Sequence, residues 1–440
     1  MKSDKLNNIN MPKTFVLKNG AKVIAVPVAG TRATTVLAMF PIGSRYETDR
    51  LAGISHFVEH LMFKGTKKRP TTLEISRELD AVGAHYNAFT SKEYTGYYIK
   101  IAGHKQELAF DILSDILSNS KFNEAEVEKE KGAIVEELRM YQDNPLMTID
   151  QLFEEALFAP HALGRDIGGT EKTVRGVSRQ ELWDHYQTHY SARSMTLVVS
   201  GDVQMPKLKK LVRYFEKQPA PPQAPELSFY RSDFTPVHSL NKKLSLSERV
   251  RVKEKKLDQV QLMMGFPGLN HTAANRYALD ILTVVLGGGM SSRLFTEVRE
   301  RRGLVYMIRC ETGSFRDSGV LYVQAGIDPS RVEQAVKVIK SEFRRVVKGG
   351  ITPKELANAK NHVAGNMALQ LEDSYAQAMW YASKDLFFPG LETPEESLAK
   401  LNRVTAAEVK NIAAELIDFK QLRAAAIGPL NKEKILRLFL

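Results

Sequence analysis

The chain has 440 residues, 43% of them hydrophobic, a formal charge of +11 and one cysteine, Cys310. That length exceeds one ordinary core and predicts two domains of about 200 residues each, while the lone cysteine excludes an internal disulfide and fits a reducing compartment. The basic excess does not predict nucleic-acid binding, because Lys and Arg alternate with acids along the predicted helices and no zinc-knuckle, helix-turn-helix or aromatic-and-basic strand signature is present. No run is long enough to span a bilayer, and residues 1–20 lack both a secretory apolar core and the Arg-rich character of a transit segment, so a cytoplasmic protein with no membrane partner is expected.

The first elements are short strands at 14–17 and 22–27, joined by an Asn19-Gly20 turn, and a third strand at 34–40. Residues 53–66 then read GISHFVEHLMFKGT. Ile54, Phe57, Val58, Leu61, Met62 and Phe63 make this stretch apolar at helical spacing, and His56, Glu59 and His60 are the polar exceptions. Residues i and i+4 share one face of a helix, so His56 and His60 can offer imidazole nitrogens to a single metal ion with Glu59 beside them as a base. Catalytic zinc typically needs a third protein ligand. After a strand at 97–101 and a helix at 104–118, a helix over 123–144 opens on Asn123 and Glu126 as a capping pair. Within it Glu130 and Glu137 lie seven apart and share one face, although the pattern alone does not choose between Glu136 and Glu137 as a ligand. His185 and His189 also lie four apart on a helix, but no Glu stands in the matching position between them and no metal is expected there.

Pro219, Pro221, Pro222, Pro225 and Pro236 mark a stiff linker at 219–236, which predicts one domain at 1–218 and another at 237–440. The second half repeats the first. A strand ending in Ala102-Gly103 and leading into a helix is matched by one ending in Ala325-Gly326, and the helix starts at Asn123 and Ser178 are matched by Thr352 and Thr405 at similar offsets. The copies differ where chemistry would lie: the counterpart helix at 277–286 has no histidine, Asn366 stands at the position of Glu137, and the run Gly287-Gly288-Gly289 follows. Only the first half can hold the metal. Strands and helices do not alternate as regular βαβ units, so an α+β fold is expected, each domain a largely antiparallel sheet packed with helices.

Taken together, these residues resemble the pitrilysin and insulinase superfamily of zinc peptidases, in its short-chain, mitochondrial-processing-peptidase-like branch. The family's His-x-x-Glu-His motif is followed by a glutamate 77 positions beyond the second histidine, which selects Glu137 as the third ligand here and makes Glu130 the acid that supports the site. The resemblance covers nearly the whole chain. It implies one zinc ion per chain held by His56, His60 and Glu137, Glu59 as the base, and extended, unfolded peptide laid along Asn87, Ala88, Phe89 and Thr90. The run from Ser291 to Tyr306 is similar to the family's second-half signature, which implies that Arg299 grips substrate and Tyr306 stabilises the oxyanion. Family members enclose their site in four such domains, so a homodimer is implied, with Arg299 and Tyr306 acting in trans. The other reading is a non-catalytic assembly subunit, against which the intact metal motif stands.

Overall fold

The computed structural model describes residues 11–219, 237 and 244–439. The expected linker lies outside the described residues except for Pro219. The first half builds a six-stranded sheet from β1 (Lys13–Val16), β2 (Lys22–Pro27), β3 (Ala33–Phe40), β4 (His85–Thr90), β5 (Thr95–Ala102) and β6 (Thr196–Gly201), in the order β1-β2-β6-β3-β5-β4. The second half builds a five-stranded sheet from β7 (Val250–Glu254), β8 (Val260–Pro267), β9 (Val305–Ser314), β10 (Gly319–Ile327) and β11 (Arg423–Gly428), in the order β7-β11-β8-β10-β9. Dropping β1 makes the two orders equivalent strand for strand. Both sheets are antiparallel apart from one parallel pair each, β2 with β6 and β7 with β11. The expected α+β class and internal duplication therefore appear as repeated topology.

Helices cover both faces of each sheet. In the first unit Phe57, Val58, Leu61, Ile112 and Leu113 form one buried cluster with β3 and β5 residues such as Val36, Ala38 and Ile99. The opposite face, carrying Ile24, Val26, Leu37, Met39 and Val198, is covered by Ala378, Tyr381 and Ala382 of the Ser374–Phe387 helix. Polar contacts fix that helix in place: Thr35 Oγ1 meets Ser374 Oγ at 2.8 Å, Thr196 Oγ1 donates to Asp385 at 2.7 Å, and Lys22 pairs with Asp385. In the second unit the corresponding face, with Met263, Ala425 and Ile427, is covered by Ile149, Phe153 and Leu157 of the Pro145–Phe158 helix.

Each half thus donates a segment to the other's compact unit. Arg139–Arg165 belongs with the second-half sheet, and Leu369–Thr393 with the first-half sheet. The compact units are therefore not contiguous stretches of the sequence. The physical reason is that a strand with two apolar faces needs two covering layers, and its sequence does not name which helix supplies the second. Among the described residues no helix is long and apolar enough to cross a membrane.

Candidate metal centre

The Ile54–Met62 helix buries Ile54, Phe57, Val58, Leu61 and Met62 and leaves His56, Glu59 and His60 half-buried along one side. Burying a large apolar side chain contributes roughly 1.5–3 kcal/mol, so five of them fix the rotation of a short helix and with it the direction of the histidines. The Glu124–Asp143 helix is anchored in the same way by Val127, Ile134, Val135 and Leu138. This turns Glu137 to the histidines while Glu136 stays exposed, which decides the choice that helical spacing left open.

His56 Nε2 and His60 Nε2 lie 3.2 Å apart, and Glu137 Oε2 lies 3.3 Å from His60 Nε2 and 3.8 Å from His56 Nε2. Around a tetrahedral zinc with bonds of about 2.0–2.1 Å, neighbouring ligand atoms stand about 3.3–3.4 Å apart. Two of the three separations match that spacing and the third, Glu137 to His56 at 3.8 Å, is slightly wider. Two imidazoles and one carboxylate are also a donor set used by catalytic zinc, so the residues fit the ion. Among the described residues this is the one group of three or more His, Cys, Asp or Glu that can converge on a metal. His185 and His189 form no such group; His185 Nε2 instead meets Ser55 Oγ at 3.2 Å.

Glu130 is buried behind the cluster, with Oε1 2.8 Å from His60 Nδ1 and Oε2 2.6 Å from Lys64 Nζ. A carboxylate on the far nitrogen of a ligating imidazole fixes its orientation and raises its basicity. Burial works against a charge on His60, but its contacts with Glu130 and Glu137 outweigh that and push its pKa up to about 9. Burial and the neighbouring His60 lower His56 to about 4. Glu130 itself is held below the usual carboxylate range, the partners His60 and Lys64 overcoming the cost of burial. Lys64 was invisible as a site residue in the sequence; its only signal is its place one turn after His60.

Glu59 accepts a 2.6 Å hydrogen bond from Thr90 Oγ1, and burial raises its pKa while that bond opposes the rise. Thr90 ends β4, the edge strand of the first sheet, whose outer side is unpaired within that sheet. The four residues expected to lie along substrate therefore face different ways. Ala88 packs with the core on the side of the metal helix, Phe89 covers Gly96 on the opposite side, and Thr90 turns its hydroxyl to Glu59. Their shared asset is the backbone edge.

In the second unit Arg299 stacks its guanidinium 4.7 Å from the Phe295 ring centre and 5.5 Å from that of Tyr306. Tyr306 is 74% exposed at the start of β9, so its hydroxyl is open to an incoming group. Arg299 lies on a π-helical turn, Phe295–Glu300, a distortion that recurs at functional sites. Arg293 of the same signature is structural: it binds Glu355 through Nε at 2.6 Å and the Gly350 carbonyl at 3.0 Å.

The model of the "Insulinase (Peptidase family M16)" domain matches residues 22–171, and that of the "Peptidase M16 inactive domain" matches residues 176–363. A Streptomyces coelicolor protein named as an uncharacterized zinc protease is 34% identical, covering 98% of this chain and 93% of its own length. The uncharacterized zinc protease YmxG of Bacillus subtilis is 32% identical over 92% of this chain and 96% of its own. A Helicobacter pylori protease of solved structure shares the fold with a TM-score of 0.86 at 22% identity, covering 95% of this chain and 99% of that one. With both domain models matched and relatives of this identity aligned along nearly the full length, the chain belongs to the insulinase (M16) family of peptidases.

Proposed function

We propose that the chain is a zinc-dependent endopeptidase that hydrolyses extended peptides. The observation that carries this reading is the convergence of His56, His60 and Glu137 beside a glutamate, Glu59, held by its own hydrogen-bond donor. Family membership and the relatives' names support peptidase activity and zinc. A zinc ion held by these three residues would supply Lewis-acid chemistry and make a water nucleophilic near neutral pH. Glu59 takes the proton of the attacking water and passes it to the leaving amine.

Substrate adds to the free edge of β4 through backbone hydrogen bonds, which favours unfolded segments over particular sequences. Tyr306 donates its hydroxyl to the developing oxyanion and Arg299 holds a substrate carbonyl, both supplied by the second copy in a homodimer. The exposure of Tyr306 and its stacking with Arg299 support those roles.

The test compares wild type with Glu59→Gln for bound zinc and for cleavage of a quenched, unstructured peptide. Full zinc content with lost hydrolysis is expected for the variant. Equal hydrolysis by both proteins removes Glu59 as the base, and a wild type without zinc or activity leaves a non-catalytic assembly subunit.

A further inference from the structure

The metal-bearing helix has an unusual beginning. Its capping position is Gly53, in left-handed conformation at φ 95° and with no side chain to satisfy the first backbone N–H groups. Two of those groups are satisfied from elsewhere. Glu47, only 8% exposed, accepts the Gly53 N–H at 2.7 Å on Oε2 and the Ser55 N–H at 2.8 Å on Oε1. One carboxylate thus spans the first turn, and its negative charge lies at the end of the helix where the backbone dipoles favour it.

Glu47 is itself fixed. The loop before it is tied to the β4–β5 turn by Ser44 N–H to Ser91 O at 3.2 Å, Arg45 N–H to Lys92 O at 2.8 Å, and the buried Arg45–Glu93 ion pair at 2.7 Å. On the other flank a Cβ at Gly53 would lie 2.4 Å from the Gly168 carbonyl oxygen, and one at Gly169 would lie 2.2 Å from that of Ala52. No bulkier residue can take over the capping there. His56 stands one residue beyond Ser55, in this same first turn, whereas His60 is fixed a turn later by Glu130.

We propose that Glu47 is a positioning residue for the metal site, setting the orientation of His56 by clamping the first turn of its helix. This rests on the reading of His56, His60 and Glu137 as zinc ligands. Without the clamp the first turn frays, and His56 samples orientations in which its Nε2 no longer points to His60 and Glu137. Residues hydrogen-bonded directly to a ligand typically change metal affinity by about 10–100-fold, and a clamp acting one step further out is expected at the lower end of that range.

The experiment measures zinc affinity by competition with a chromophoric chelator for wild type, Glu47→Gln, Glu47→Ala and, as a control, Thr405→Ala. Thr405 opens a helix of the other unit with a comparable capping box, so its loss lowers stability without touching the metal helix. The expected result is about tenfold weaker zinc binding for Glu47→Ala, a smaller loss for Glu47→Gln, which keeps one acceptor oxygen, and wild-type affinity for Thr405→Ala. If Glu47→Ala does not fold, Glu47→Gln against Thr405→Ala carries the comparison. Wild-type affinity in the Glu47 variants, or an equal loss in Thr405→Ala, overturns the clamp alone. A wild type that takes up no zinc overturns the metal reading and the clamp with it.

Discussion

Replacing Thr90 by valine removes one hydroxyl and keeps the shape of the side chain, so it separates two roles for this residue. The Thr90 hydroxyl donates to Glu59 at 2.6 Å, a bond to a group that is charged when it acts as base. Hydrogen bonds to charged groups contribute about 1.5–3 kcal/mol; because Glu59 is half-buried and water can partly replace the hydroxyl, the lower end applies. At 1.36 kcal/mol per factor of ten, Thr90→Val is expected to lower kcat by about tenfold. The assay is steady-state cleavage of a quenched, unstructured peptide, with zinc content measured alongside. KM and zinc content should stay within about twofold, since the hydroxyl touches neither the free strand edge nor the three ligands, and Thr90→Ser should restore most of kcat. An unchanged kcat with a raised KM would refute this reasoning and return Thr90 to direct substrate contact.

Glu130→Gln should retain the fold but bind zinc about tenfold more weakly by chelator competition, because an amide cannot serve both His60 and the Lys64 ammonium. If Arg299 and Tyr306 act in trans, mixing inactive Glu59→Gln with inactive Tyr306→Phe should recover about a quarter of wild-type activity after subunit exchange, as half the dimers carry one intact site; no recovery sinks the trans arrangement. Glu355, bound to Arg293 and to the Thr352 cap, has its pKa depressed to about 2. A depressed folded-state value means that its stabilisation is fully present above the usual carboxylate pKa and is lost as pH falls through about 2. Wild type should therefore exceed Glu355→Gln in chemical-denaturation stability at pH 7, and the gap should narrow steadily below pH about 4.5.

The His-x-x-Glu-His motif was legible because it is local. His56, Glu59 and His60 lie within two helical turns, and the apolar residues around them set the period, so sequence alone determined that both imidazoles share one side. The duplication was legible for a similar reason, since capping boxes such as those at Ser178 and Thr405 are four-residue patterns, and both occur in the structure as read. Strand boundaries moved by a few residues at most, as with 97–101, which extends to Thr95–Ala102.

What the tertiary structure alone decided is every contact between segments distant in the chain. Helical spacing left Glu136 and Glu137 equivalent, and packing of Ile134, Val135 and Leu138 turned one toward the histidines and the other to solvent. Lys64 on Glu130, Thr90 on Glu59 and Glu47 on the start of the metal helix have no periodic signal, because a single polar contact between separate elements, or between a loop and the helix that follows it, leaves no mark on local hydrophobic pattern. The exchange of Arg139–Arg165 and Leu369–Thr393 between units is of the same kind. Local sequence fixes which face of an element is apolar; only the folded chain fixes what that face meets.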